Sequence, residues 1–411
     1  MRLTRGRGAP FHLSYEMNAH PAESRRDFAA ALETYVEPIR ARLAPNHAFG
    51  LCPHIGRRLV HALASARARA QLKSRLAERN LYIFSINAFP LAPFHARRVK
   101  ERVYAPSWAD RERADLTCAI ADVLADVLPT GVAGSVSTLG GSYRFWRDDV
   151  AERHRMAQHY LQVVAHLARL ERERGITIVL AAEPEPDTTF EDAADVVQFR
   201  DDYLLPALRA GLERPLKVAR AEAEALLARF FCVNLDVCHQ SVLFRDPVAE
   251  WRALTRSGLR VAKLHLTSAL ALRRPGRAPA ALRELMRFDE PRYLHQFAGT
   301  SATRASDALD RGRDLGELNS ARARALEEVR VHFHVPLSAA RVGRLQTTRA
   351  DTARALNYAL SLREPPHLVI ETYTWPLLAR NGGAQALVHG ITREYRWVLA
   401  AARARGFEPS D

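Results

Sequence analysis

Short runs of apolar and β-branched residues alternate along this chain with longer stretches in which apolar side chains recur every three to four positions. The short runs predict strands at Leu13–Asn18, Phe49–His54, Leu81–Asn87, Gly134–Leu139, Thr177–Glu183, Phe231–Asp236, Val261–Leu266 and His367–Thr372. Between them, Arg57–Arg79, Arg111–Leu128 and Val150–Arg174 carry the period of amphipathic helices. Strand and helix in regular alternation imply a parallel sheet with crossover helices. Eight such strands favour a closed (β/α)8 TIM barrel over an open sheet, an α/β architecture that accommodates long insertions within one domain. The chain of 411 residues is therefore read as a single barrel domain, 1–411.

One stretch breaks the rhythm. From Ser268 to Gly343 the chain is long and arginine-rich, includes Arg273–Pro279, and holds one extra strand-like run at Val329–Leu337. A ninth strand has no place in an eight-stranded barrel. The segment (about 268–343) is read as an insertion in the loop after the seventh strand, at the face where barrel loops carry function, and placed to fold over the mouth as a lid. No repeat or linker divides the chain.

Composition adds bounds. Apolar residues make up 47% of the chain, enough for a large core and too many for wholesale disorder. No apolar run reaches the roughly 18 residues of a membrane span, and the basic start, Met1 to Pro10, has no apolar core of the kind a secretory signal needs. Cys52, Cys118, Cys232 and Cys238 are scattered without zinc-site spacing, and are expected to be reduced thiols in a cytoplasmic protein. The net charge of +14 raises the question of a polyanion partner. Its carriers are arginines spread over the whole chain, with only Lys73, Lys100, Lys217 and Lys263 as lysines, so the charge is read as solvated helix faces and no nucleic acid is expected.

The chemistry is suggested by where polar residues fall. Glu183 follows the apolar run Ile176–Ala182, Asp236 ends Phe-Cys-Val-Asn-Leu-Asp with His239 three residues on, His265 sits in Val-Ala-Lys-Leu-His-Leu-Thr, and Glu371 closes His-Leu-Val-Ile-Glu. Each lies at the C-terminal end of a different expected strand, and in a barrel those ends converge on one mouth. Singly, a glutamate after a strand is more often a helix cap, and a histidine in an apolar run is more often a hydrogen-bonded core residue. Together they ask for a cation, because a buried carboxylate without a partner costs several kcal/mol. Lys263 is the structural competitor, but one lysine does not neutralise three acids. Two glutamates, an aspartate and a histidine form a hard oxygen and nitrogen set suited to Mn²⁺, Mg²⁺, Co²⁺ or Zn²⁺. His332 and His334, in Val-His-Phe-His-Val-Pro, would face one way on a strand and either serve a second metal position, meet the substrate, or pack under the insertion. Asn18 and His20, Asn87 and His95, Ser142 and Tyr143, and Trp375 are further residues expected near the mouth. Gly140-Gly141 is too short for a phosphate fingerprint, and no dinucleotide, P-loop or nucleophile-elbow motif is present.

The strand-end order of Glu183, Asp236 with His239, His265 and Glu371 resembles that of the xylose-isomerase-like superfamily, which includes sugar and sugar-phosphate isomerases, epimerases and endonuclease IV-type apurinic-site nucleases. The resemblance implies Glu183, Asp236, His265 and Glu371 as metal ligands, Glu183 and Glu371 as catalytic groups, and His239 on the substrate side. A narrower resemblance covers Leu13 to about Gly390. It is carried by Ser14–Ser24 (SYEMNAHPAES), Leu81–Pro90 (LYIFSINAFP), Phe94–Tyr104 (FHARRVKERVY), Gly134–Ser142 (GSVSTLGGS), Val331–Leu337 (VHFHVPL) and Val369–Trp375 (VIETYTW), which are similar to the EboE-type metabolite-traffic proteins. That family is associated with handling or export of small metabolites, and its members usually read Tyr-Cys-Thr-Asn where this chain has Tyr15-Glu16-Met17-Asn18. The expectation is a metal-binding barrel that acts on or carries a small metabolite, with Asn18, Asn87, His239, His332 and His334 toward the ligand. The alternatives are a metal-dependent sugar (phosphate) isomerase or epimerase and, less favoured, an endonuclease IV-like phosphodiesterase.

Overall fold

The computed structural model describes residues 1–6, 8–301, 308–378 and 383–410. Its main sheet has nine strands in the order Glu408–Ser410, Arg2–Thr4, Phe11–Tyr15, His367–Ile370, Val261–Leu266, Phe231–Asp236, Ile178–Glu183, Gly134–Leu139 and Ser85–Asn87. The first two strands are antiparallel additions; from Phe11–Tyr15 onward all neighbours are parallel. The sheet curls. Phe49–Leu51 pairs in parallel with Leu81–Ile83, and bridges from Cys52 to Glu16 and from His54 to Asn87 tie that segment to both ends of the parallel run. All eight expected strands appear, but Leu13–Asn18 is observed as Phe11–Tyr15, Phe49–His54 as Phe49–Leu51 and His367–Thr372 as His367–Ile370, and Leu81–Asn87 is interrupted at Phe84 into two short pieces.

The helices show the local causes at work. Asp149 accepts a hydrogen bond from the Glu152 amide and starts the helix Val150–Arg174, and Gly175, at φ 66°, ends it in the left-handed region that glycine adopts without strain. Its face of Met156, Tyr160, Leu161, Val164 and Leu167 is buried. The expected single helix at Arg57–Arg79 is instead two, Arg57–Ala62 and Ala66–Glu78. The first ends at its C-cap Leu63, and Ser65 caps the second by accepting from the Ala68 amide, a local break that the continuous apolar period concealed.

After Val261–Leu266 the chain builds a second, antiparallel sheet of six strands, in the order Asp310–Gly312, Phe297–Thr300, Glu328–Val331, Leu270–Arg273, Leu345–Thr347 and Arg341–Val342. It has a core of its own, including Leu270, Leu285, Phe297, Leu315, Val329 and Phe333. This corrects the expectation of one extra strand in the region, of which 302–307 lie outside the described residues. It also shortens that strand: Glu328–Val331 ends just before His332, because the backbone turns away from the sheet to meet the parallel one. The His332 amide donates to Gln296, the Val335 amide to Ser268, and the Leu337 amide to the Glu394 carboxyl.

Glu394 is a junction. It is fully buried and accepts from Leu337, from the Thr372 hydroxyl at 2.7 Å and from the Trp375 indole at 2.7 Å, linking the second sheet to the loop after His367–Ile370. Gly390 makes the contact possible, since a Cβ there would lie 2.3 Å from the Trp375 ring. Burial raises the Glu394 carboxyl to about 7 against the pull of these donors. Its proton is held more tightly folded than unfolded, so its contribution to stability is complete below about pH 4.5 and declines as pH rises through about 7. Glu394→Gln turns an amide NH₂ toward donors and is expected to cost about 1–3 kcal/mol in urea unfolding and to remove that pH slope; an unchanged slope would deny Glu394 this role.

Candidate metal centre

Residues two apart on a strand face the same side, and in this sheet the inward positions are polar: Ser14 and Glu16, Ser85 and Asn87, Ser135 and Ser137, Asn234 and Asp236, Lys263 and His265, all buried. Such a polar interior requires partners. Ser85 and Ser135 bond each other at 2.8 Å, Ser135 bonds His367, and Lys263 donates to Ser137 at 2.9 Å and to Cys52 at 3.3 Å. Lys263 faces Glu16 at 3.5 Å. The lysine expected to compete for the strand-end carboxylates is thus engaged one layer below them.

At the C-terminal ends, three carboxylates surround one imidazole nitrogen. His265 Nδ1 lies 3.0 Å from Glu371, 3.1 Å from Glu183 and 3.6 Å from Asp236. Each carboxylate is anchored through one oxygen and offers the other. Glu183 accepts from Asn234 at 2.8 Å, Glu371 from Asn18 at 2.7 Å, and Asp236 from the Thr267 hydroxyl at 2.7 Å and the His239 amide at 2.9 Å. The second oxygen of Asp236 is buried without a hydrogen-bond partner. The four ligand atoms of Glu183, Asp236, His265 and Glu371 lie within 4.8 Å of one another. An orphaned carboxylate oxygen facing two further carboxylates fits a divalent cation, whose charge would satisfy all three.

In the metal-free state a proton stands in. Burial works to strip it from His265, but Glu183 and Glu371 outweigh burial and raise the imidazole well above its ordinary range. Burial also disfavours the Asp236 and Glu371 charges; His239, His334 and His265 overcome it at Asp236, and His265 chiefly at Glu371, holding both below the usual carboxylate range.

Above this set opens a cavity of about 540 Å³, including its mouth. Asn18, Asn87, Glu183, His239, His332, His334 and Glu371 line it, and Asp236 and His265 are buried beside Glu183 and Glu371. All nine residues singled out in the sequence are therefore brought to one place. His332 and His334 arrive from beyond the strand rather than on it, with ring centroids 5.3 Å apart. Asn87 also fixes its own turn by accepting from the Phe89 amide. Other residues expected near the mouth have different tasks. His20 stacks on Tyr35 and bonds Tyr15, the His95 amide binds Glu23, Tyr143 stacks on Tyr104, and Trp375 is held by Glu394. Gly140 and Gly141 serve close approach: a Cβ would lie 2.6 Å from the Glu183 carbonyl at the first and 2.5 Å from Thr189 at the second.

Sequence reasoning missed Glu185, Tyr104, Gln296, Asn234 and Lys100. Asn234 was detectable, two residues before Asp236 and so on the same face. Glu185 lies two beyond Glu183; burial pushes it up to about 8, and it accepts from Tyr104 at 2.9 Å. Lys100 donates to Asp314 at 2.5 Å and ties the loop after Asn87 to the second sheet, a long-range contact without a local signature.

No protein-family model matches the chain, and no curated protein does. Solved structures resemble it. A xylose isomerase-like TIM barrel protein from Mycobacterium smegmatis, in complex with magnesium, is 12% identical with a TM-score of 0.51 over 95% of this chain and 98% of that one. The IOLI protein with a binding zinc atom is 11% identical, TM-score 0.46, over 95% and 98%. A xylose isomerase domain protein from Planctomyces limnophilus is 11% identical, TM-score 0.39, over 64% and 75%. At such identities the likeness is one of fold: the chain has an α/β fold with a curled parallel sheet, similar to that of the first of these TIM barrels. No helix among the described residues is long and apolar enough to cross a membrane.

Proposed function

We propose that this chain is a single-domain, closed (β/α)8 barrel with the second sheet as an insertion after the seventh strand, and that it binds one divalent cation through Glu183, Asp236, His265 and Glu371 to act on a small polyhydroxylated metabolite. The observation that carries this reading is the unpartnered Asp236 oxygen beside two anchored glutamates that present their free oxygens to the same point. A bound cation supplies Lewis-acid polarisation of a carbonyl and its neighbouring hydroxyl. Glu183 and Glu371, both lining the cavity, take a proton from a substrate C–H and return one, in the manner of an isomerase or epimerase. Asn18 and Asn234 hold those carboxylates in place, and His239 orients a substrate oxygen. The aromatic walls Phe89, Phe94, Tyr104, Tyr293 and Tyr373 exclude water and bind the carbon skeleton. The role is the one suggested by the EboE-type resemblance, in the cytoplasm.

Exchange of a substrate C–H with D₂O, followed by NMR over a panel of sugars, sugar phosphates and polyols, tests the reading. Metal-dependent exchange lost in Glu371→Gln is expected. Tight, metal-dependent binding without exchange would instead make the barrel a carrier. That second reading is favoured by the weight of aromatic side chains around the cavity.

A further inference from the structure

Among the described residues, the large apolar side chains open to solvent are Phe145, Trp146 and Val150, at 48%, 42% and 63% exposure, and all three fall between positions 145 and 150. Scattered singly, such residues need no explanation; gathered on one loop, they mark a surface that meets something apolar. The loop follows the strand Gly134–Leu139, at the C-terminal end of the parallel sheet, and its base is fixed. The Arg144 amide donates to the Asp187 carbonyl at 2.9 Å, the Arg144 guanidinium pairs with Glu191 at 3.1 Å, and Tyr143 bridges Thr188. The Trp146 amide donates to the Tyr143 carbonyl at 3.0 Å and closes a turn that leaves both aromatic rings outside.

These rings continue the cavity wall. Tyr104, which lines the cavity, stacks on Tyr143 with centroids 4.8 Å apart, and the two rings meet Trp146 edge-on at 6.5 and 5.7 Å. Phe145 meets Tyr143 at 5.4 Å and carries the Arg313 guanidinium over its face at 4.9 Å. The segment that supplies Tyr104 also supplies Arg97, Arg98 and Arg102, all exposed. Among the described residues none of the three is in an ion pair, and Arg102 donates only to the Arg98 carbonyl. Against them the segment sets one exposed acid, Glu101. Other acids near the turn are already engaged: Asp148 by Arg153, Asp149 by Arg147 and Glu317 by Arg313. The rim therefore joins two exposed aromatic rings to a surplus of positive charge.

We propose that this rim docks on an anionic lipid surface, with Phe145 and Trp146 entering the interfacial layer and Arg97, Arg98 and Arg102 meeting the headgroups. Aromatic rings beside cationic side chains are the composition of an interfacial anchor. Basic clusters are drawn to anionic lipid, and the net charge of +14 adds to that attraction. A protein partner fits less well, because a few side chains on one turn fall far short of the roughly 800 Å² per partner of a stable protein interface. Docked in this way, the cavity opens toward the bilayer, and a ligand with an apolar part passes along Tyr143 and Tyr104 without crossing bulk water. The proposal rests on the rim alone and is independent of the metal reading.

The test is co-sedimentation of the full chain with vesicles of phosphatidylcholine alone and of phosphatidylcholine with an equal part of phosphatidylglycerol. Binding to the mixed vesicles, weakened by salt, is expected, with little binding to the neutral ones. A Phe145→Ser, Trp146→Ser double variant should bind the mixed vesicles at least about tenfold more weakly. An Arg97→Gln, Arg98→Gln, Arg102→Gln triple variant should do likewise. All five positions are exposed, and circular dichroism checks that both variants are folded. Trp146 is more exposed than Trp108, Trp251, Trp375 or Trp397, so a blue shift of tryptophan emission on binding should vanish in Trp146→Phe while binding persists. Absence of the parent from the mixed-vesicle pellet would overturn the proposal, as would binding that the aromatic double variant retains in full, which is adsorption by net charge only. Self-association in light scattering, lost in that double variant and unaffected by vesicles, would make the rim a contact between copies instead.

Discussion

Asp236→Asn and Glu371→Gln proteins are expected to bind Mn²⁺ at least about 100-fold more weakly than the parent, a loss at or beyond the upper end of that seen when only a ligand's supporting partner is removed. The side chains that surround His265 Nδ1 are almost sealed from solvent, with 0% exposure at Asp236, 3% at Glu183 and 8% at Glu371. Water therefore contributes little to holding their charges, and a bound cation would be the group that makes the cluster favourable. An asparagine at 236 keeps the anchoring oxygen that accepts from Thr267 and from the His239 amide. It replaces the unpartnered oxygen by an NH₂ that points its hydrogens at the cation's place. The fold is thus left intact while one negative charge is removed. Because metal-free His265 holds a proton, binding must expel it, and the parent's affinity for Mn²⁺ should rise with pH. Calorimetric titration with Mn²⁺ measures both effects. Parent-like affinity in Asp236→Asn would show that its orphaned oxygen serves some other end.

The largest loss of stability is expected one layer lower, at Lys263→Met, of about 3–5 kcal/mol in denaturant unfolding. Lys263 is fully buried and shares its ammonium among Ser137, Cys52 and Glu16. Burial opposes its charge, but Cys52 and Glu16 outweigh burial and raise its affinity for the proton. Glu16 is raised to about 7, by burial first, with Lys263 pulling the other way. Its remaining contacts are the Cys52 thiol at 3.1 Å and His265 Nε2 at 3.8 Å, and its other oxygen has no partner. Removing the lysine leaves that carboxylate buried and forces it toward the protonated form. Adding Glu16→Gln to Lys263→Met should recover part of the loss, so the double variant costs less than the sum of the single ones. A Lys263→Met protein within about 1 kcal/mol of the parent would show that the interior pair is not a charged one.

Both expectations depend on how far the sequence could be read. The eight parallel strands and the two long crossover helices were legible, because apolar runs of strand length and an apolar period of three to four residues are local signals that tertiary packing reinforced. The convergence of Glu183, Asp236, His265 and Glu371 was legible for a related reason: a polar residue that closes an apolar run on several strands marks the end at which those strands converge. The alternation of polar residues at Ser85 and Asn87, Ser135 and Ser137, and Asn234 and Asp236 also stood in the sequence as a period of two, and it tells that the interior of the curled sheet is polar. The break at Leu63–Ser65 was hidden, because one serine's capping bond does not disturb the apolar period around it.

By itself, then, the sequence determined the strand and helix succession and which carboxylates and histidines stand at strand ends. Only the tertiary structure decided what they do to one another. The six-stranded sheet between Leu270 and Thr347 is assembled from strands of two to four residues, too short for any period to show. Glu16 was noted only as a departure from a family pattern, and Glu185 passed unremarked. The first becomes the partner of Lys263 and the second a neighbour of His239 and His332, because parallel strands distant in sequence are set side by side. The Nδ1 atoms of His239, His332 and His334 bond oxygens of Pro184, Gln296 and Glu371, from three separate segments. Hydrogen bonds of that kind carry no mark in a residue's immediate neighbours, since what fixes them is where the chain returns.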